Sequence, residues 1–360
     1  MRPYLSIQED EEVFIPKKYH KINDLCAIIY DQLTEIYRED NYVELNSTTI
    51  DLDNADEKLK SLDKEGKHIL DWLKENNRND EIETVLLKHL TMAITSDFIN
   101  FLFESLYTAK RGKMTVAYSL IRKPYSDILL ILEQLFVNKS EFIERFFHIG
   151  DPKGYDPSNR AINRLDIIEQ ALSKIRISDL LNAEHIHDLR YDKELDYGLN
   201  GITNHALHIV TNDKRYKTEN QNLNFVFSNE EDMERYYEHY YNFVPYLLIY
   251  SVSVVDGIIF DLLKDPYNQK LRVVKEFRRL IALIMLMEYT GIRTKKSNKR
   301  IFKAIADAIS IECIICENVN KIERADCELF LETELLLCSK CGNNILSTNE
   351  AVDAIEQILK

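Results

Sequence analysis

Glycine and proline are scarce in this chain, with 9 and 7 among 360 residues. Tight turns depend on those two residues, so a chain with few of them has few turns and long regular elements. A sandwich or barrel needs a turn every few residues, and the scarcity therefore favours helices. The apolar spacing agrees. Ile22, Leu25, Cys26, Ile29, Leu33, Ile36 and Tyr37 recur at helical intervals over residues 21–38. Cys26 belongs to that stripe and reads as a core thiol. Further helices are expected over about 54–76 (capped by Asn54), 80–109, 114–137, 158–175, 178–189, 195–211, 229–264, 268–290 and 298–310. Pro124 is expected to kink or interrupt the helix over 114–137, and Pro245 to break the segment 229–264. Residues 222–228 (NLNFVFS) alternate apolar and polar side chains and suggest one short strand.

The expected fold is mainly α: a multi-helix body with a small C-terminal β-hairpin. Gly150, Pro152, Gly154 and Pro157 form the densest breaker stretch and mark the best boundary. The expected organisation is 1–150 and 151–310 as two helical parts packed together, then 311–360 as a small terminal unit. Neither an internal repeat nor a low-complexity tract is evident.

Two Cys-x2-Cys pairs, Cys313/Cys316 and Cys338/Cys341, lie 21 residues apart. Each turn presents two thiolates to one ion, and two turns complete a tetrahedral shell. Gly342 follows Cys341 where a knuckle turn favours a residue free to take positive φ. The apolar run Asp326 to Leu337 is expected to supply strands between the knuckles, with Cys327 packed inside one. A redox dithiol and a chance spacing are the competing readings. The region 311–345 resembles the zinc ribbons. That resemblance implies a structural Zn2+ held by four cysteines, with no coordination position open for water.

The net charge is −14, so any contact with nucleic acid must come from a local patch. The ribbon itself is acidic, with seven acids and three bases from Glu312 to Lys340. The segment before it differs. Arg293, Lys295, Lys296, Lys299, Arg300 and Lys303 occur there without an acid. They form a candidate surface for RNA, DNA or an acidic partner, against the plainer reading of a solvated helix start.

His185 and His187 adjoin Asp188, and His205 and His208 share a helical face, so a metal site with Asp188 or Asp192 is conceivable. Arg235 and His239 are four apart, with Tyr236, Tyr240, Phe243, Leu247 and Tyr250 along the same helix. They read first as a packing face and second as an arginine to steady phosphate charge beside a histidine to move a proton. Long helices and the segment Ala117 to Lys123, carrying Arg122, resemble HEPN-type helical domains over about residues 80–265. Members of that group act as metal-independent RNases through Arg-x4–6-His, in bacterial defence and toxin proteins. The resemblance implies catalytic roles for Arg235, His239 and Arg122. Here only three residues separate Arg235 from His239, one short of the family spacing.

Phosphate-cradling glycine loops and Gly-x-Ser-x-Gly are missing from the sequence. The acidic N-terminus lacks the pattern of a signal peptide, and Phe243 to Leu263 holds Pro245 and Asp256, which suits a buried helix better than a membrane span. A cytoplasmic location is expected, since six cysteines are too few for a disulfide scaffold. The leading expectation for function is a non-catalytic helical interaction or regulatory protein of bacterial type, engaging a protein partner or a second copy. The alternatives are the RNase or phage-defence toxin and nucleic-acid binding through 293–303.

Overall fold

The computed structural model describes residues 3–50, 66–195, 197–214, 216–263 and 269–359. The expected cap at Asn54 and the first part of its helix lie outside the described residues. The helices are His20–Arg38 (α1), Ile69–Glu75 (α2), Asn79–Lys110 (α3), Met114–Lys123 (α4), Leu129–Val137 (α5), Lys139–Ile143 (α6) and Arg164–Leu172 (α7). They continue with Ala183–Tyr191 (α8), Leu199–Leu207 (α9), Glu230–Gly257 (α10), Gln269–Tyr289 (α11) and Lys295–Ala308 (α12). Arg324–Thr333 (α13) and Asn349–Leu359 (α14) complete the set. Strands Ser310–Glu312 (β1) and Val319–Lys321 (β2) pair antiparallel, with Ile311 opposite Asn320. The fold is therefore mainly α with one small C-terminal hairpin.

Helix α10 is the axis of the body. It begins at a capping box in which Asn229 and Asp232 satisfy each other's backbone N–H groups. From Phe243 to Gly257 only Tyr246 is less than fully buried. The helix and its continuation, Glu230–Leu262, meet the length and composition of a membrane span, yet 94% of the apolar window is covered by the rest of the fold. Helices α1, α5 and α11 supply that cover. Pro245 does not break the helix, which runs through it. Pro124 acts differently. It opens one π-helical turn, Pro124–Ile128, closed by the Leu129 N–H donating to the Pro124 carbonyl. Widening the turn accommodates the ring and the missing donor without ending the rod.

Buried charge fixes the helix registers. Arg190 and Glu133 are both fully buried and paired at 2.5 Å. The Tyr250 hydroxyl donates to the same carboxylate at 2.6 Å, and Arg190 Nε donates to the Tyr125 carbonyl at 2.7 Å. Helix α11 carries a second set: Lys275 pairs with Glu35 and Arg279 with Asp256. Next to Lys275, Arg278 donates to the Leu331 carbonyl at 2.7 Å and to Glu334 at 2.5 Å. Phe277 meets Phe330 at 5.2 Å between ring centroids. Helix α11 is thus the seam between the helical body and the terminal unit.

Two strand expectations fail. Residues 222–228 form turns, with Phe225 in a left-handed conformation and stacked on Tyr236 at 4.3 Å. The run Asp326 to Leu337 is mostly helix α13. Glu323 and Asp326 form a capping box that starts this helix, and Cys327, Phe330 and Leu331 make the buried i, i+3, i+4 face against α11. Cys327 is accordingly a packed helical side chain, with its thiol pushed up to about 12 by burial.

Candidate metal centre

The two Cys-x2-Cys segments adopt the same local structure. In the first, Cys313 N–H donates to the Asn318 carbonyl at 2.9 Å and Glu317 N–H donates to the Cys313 carbonyl at 2.8 Å. In the second, Cys338 N–H donates to the Asn343 carbonyl at 2.8 Å and Gly342 N–H to the Cys338 carbonyl at 2.9 Å. The residue after the second cysteine is left-handed in both, at φ 56° for Glu317 and 72° for Gly342. The flanking pair repeats too: Glu312 faces Val319, and Leu337 faces Asn344. The terminal unit therefore holds two copies of one knuckle. Asn320 ties them together by accepting from Ser339 N–H at 2.9 Å and from its hydroxyl at 3.0 Å.

The four sulfurs converge from these knuckles. Cys313 Sγ lies 3.6 Å from Cys341 Sγ, and Cys316 Sγ lies 3.6 Å from Cys338 Sγ. All four lie within 4.8 Å of one another. A tetrahedral ion with bonds of about 2.3 Å needs sulfur–sulfur edges of about 3.8 Å. The donor set thus fits one metal ion, as in a zinc ribbon. Helix α13 replaces the strands expected between the knuckles, which explains how 21 intervening residues are taken up without widening the site.

The local field favours thiolates unevenly. Burial raises the Cys338 thiol, but the backbone N–H groups of Cys341 and Lys340 and the side chains of Cys316 and Asn320 together outweigh it and bring the group down to about 6. The Asn343 N–H and its side-chain amide, 3.2 Å from the sulfur, lower Cys341. At Cys316 the Asn318 N–H acts downward, yet burial and the three other sulfurs push the thiol up to about 12. Crowded thiolates repel, so one sulfur holds its proton against the others. A bound cation removes that repulsion, which is why metal binding at such a site displaces protons.

The other sequence candidates do not gather in one place. His205, Arg235 and His239 line one cleft of about 490 Å³ with Tyr216, Lys217 and Tyr236. It lies beside α9 and the start of α10. Arg235 is paired with Asp232, and His205 Nε2 bonds the Tyr216 carbonyl at 2.6 Å. Arg122 is not in the wall. It reaches α9 from behind, donating to Asn204 Oδ1 at 2.8 Å. His208 is exposed outside the cleft, while His185 packs edge-on to Tyr246 and His187 bonds Asp188. Among the described residues the four cysteines form the one cluster of possible ligands able to share an ion. The histidine pairs do not gather around a second.

The basic segment lies on α12, where Lys295, Lys296, Lys299, Arg300 and Lys303 are exposed and Arg293 is half-buried just before the helix. Sequence reasoning placed a positive-φ residue at Gly342 but missed its counterpart at Glu317 and the paired asparagines Asn318 and Asn343. Both were visible as Cys-Glu-Asn and Cys-Gly-Asn once the two segments are aligned on their cysteines. The wall residues Tyr216 and Lys217 carried no such signal.

Compared with known proteins, the chain matches no family model, no curated protein and no solved structure. The HEPN resemblance therefore has no family match behind it, and function must be argued from the site.

Proposed function

We propose that this chain is a non-catalytic interaction protein whose terminal unit is held by one structural Zn2+ on Cys313, Cys316, Cys338 and Cys341. The observation that carries the reading is the convergence of four sulfurs from two identical knuckles. Four thiolates fill a tetrahedral shell, leaving no position for water or substrate. They suit zinc better than calcium or magnesium, which take oxygen ligands. Reduced thiols in this role fit a cytoplasmic location. Elemental analysis of the purified protein is expected to give one zinc per chain, lost on Cys338→Ser. Metal-free protein with unaltered terminal structure would sink the reading.

A second reading has its own support, since Arg235 and His239 share a cleft with His205. Arg235 would steady phosphate charge and a histidine would transfer the proton of an attacking RNA hydroxyl. Incubation with RNA under excess chelator separates the two readings. Cleavage that disappears in Arg235→Ala and His239→Ala supports the enzyme, and intact RNA supports the interaction protein.

A further inference from the structure

The exposed face of α12 combines three properties that its own fold does not use. Its five cations, Lys295, Lys296, Lys299, Arg300 and Lys303, occupy one side. At about 100° per residue they span an arc of about 140°. None of the five lies within 4 Å of a described carboxylate. The acid on the neighbouring helix α11, Glu288, is already held by Arg324 at 3.0 Å and by the Asn298 amide at 3.0 Å. Asp307 is exposed on the same side one turn beyond Lys303, so the uninterrupted cationic stretch ends at Lys303.

The placement is also unfavourable for the helix itself. Lys295 and Lys296 stand in the first turn, which contains no acid. Unsatisfied N–H groups make that end partly positive, and cations there lower helix stability. A local rule broken on a surface that the core does not need marks a functional constraint.

The rest of the helix fixes that face outward. Phe302 and Ile305 are buried, and the Asn298 side chain donates to the Ile284 carbonyl at 2.9 Å. The Arg324 guanidinium covers the Phe302 ring at 5.3 Å. With its apolar side taken up, α12 has nothing to insert into a bilayer. No large apolar side chain stands among the five cations; the exposed Ile292 precedes the helix and is a single side chain, short of the clustered anchors around which protein interfaces are organised. A uniform cationic face without anchors is complementary to a regular polyanion.

We propose that the outer face of α12 binds the phosphate backbone of nucleic acid. This rests on the interaction-protein reading and names its partner. From Lys295 to Lys303 the helix rises about 12 Å. Duplex carries one phosphate charge per about 1.7 Å of axis, so all five cations can find phosphates. Contacts of this kind position a protein without reading sequence.

The test is fluorescence anisotropy of the full chain with labelled DNA duplex, RNA duplex and single-stranded RNA of mixed sequence. Binding to at least one is expected, weakening about 100- to 500-fold between about 50 and 200 mM KCl, as five phosphate contacts require at about 0.7 released ions per contact on a single strand and about 0.9 on a duplex. The combined variant Lys295→Gln, Lys296→Gln, Lys299→Gln, Arg300→Gln is expected to lose most of that affinity. Because neutralising the first turn relieves the helix end, the variant should melt no lower than the parent and keep its metal. A matched set at remote exposed lysines, Lys113, Lys153, Lys214 and Lys270→Gln, should bind as the parent does. Any of three results overturns the proposal: no binding at about 50 mM KCl, affinity unchanged in the α12 variant, or displacement by polyglutamate as effective as by nucleic acid. Zinc content is read in parallel, so loss of the metal reading and loss of this one are told apart.

Discussion

The helical body and the terminal unit are stabilised by different means. In the body, α10 is buried from Phe243 to Gly257 except at Tyr246, and Tyr118, Tyr125, Tyr240, Tyr250, Phe98 and Phe136 are fully enclosed. Its ionic links are also internal, as with Arg190 and Glu133. The terminal unit has strands of three residues each, and the x-x residues of its first knuckle, Ile314 and Ile315, are 65% exposed. Large apolar side chains at a knuckle tip cannot close a core. What gathers this region is sulfur converging on a point, together with the face of α13 and α14 that leans on α11. Area burial suffices where long helices supply it, and the metal proposed for the four cysteines would substitute where the elements are too short to do so.

The sharpest way to break this contrast is to remove the metal. Structural zinc in small fingers contributes about 10–16 kcal/mol of apparent binding free energy at neutral pH. Chelation or Cys338→Ser is expected to strip hydrogen-exchange protection from residues 311–322 and 335–346. Amides of α10 should keep theirs. Simultaneous loss across both regions would show that the body depends on the metal as well, and the contrast would be wrong.

The converse perturbation belongs to the body. Glu133→Ala leaves Arg190 buried without its carboxylate and the Tyr250 hydroxyl without its acceptor. Breaking such a pair by removing one partner costs about 3–5 kcal/mol. Denaturant unfolding of the body should shift by that amount, with zinc content unaltered. A shift below about 1 kcal/mol would place the pair among the weak, solvated bridges.

The same contrast explains what could be read from sequence. Helices such as Asn79–Lys110 and Gln269–Tyr289 were legible because periodic apolar residues and missing breakers act over many turns. The four ligands were legible because coordination fixes their spacing. Asp326 to Leu337 was misread because a short apolar run fits a strand or a buried helix equally well, and the capping pair Glu323/Asp326 decided between them. Pro245 was misread because surrounding packing can hold a helix through the loss of one donor. The cleft was illegible in its membership: Tyr216 and Lys217 meet Arg235 and His239 through a turn whose course depends on tertiary bonds such as His205 to the Tyr216 carbonyl.

A smaller effect sharpens the packing half of the contrast. A Cβ at Gly257 would sit 2.3 Å from Phe136 Cζ, a fully enclosed ring that cannot retreat. Gly257→Ala should therefore destabilise the body by about 1–3 kcal/mol through overpacking, despite the better helix propensity of alanine. Zinc affinity should not move. A gain in stability would mean that α5 and α10 are free to separate there.

The smallest effect separates the two knuckles from each other. Both need a left-handed residue after the second cysteine, but one has Glu317 and the other Gly342. An added Cβ at Gly342 meets no atom within 4 Å, so the penalty for Gly342→Ala is conformational rather than steric. It should be about 1 kcal/mol, seen as weaker zinc retention in chelator competition. Glu317→Gly removes the same penalty from the first knuckle, partly offset by the greater freedom of glycine in the unfolded chain. Retention should stay level or improve. Weakening at Gly342 without weakening at Glu317 is what two copies of one turn require. If Gly342→Ala is neutral and Glu317→Gly weakens retention, the Glu317 side chain contributes something its backbone geometry does not account for, and the two knuckles are not energetic equivalents.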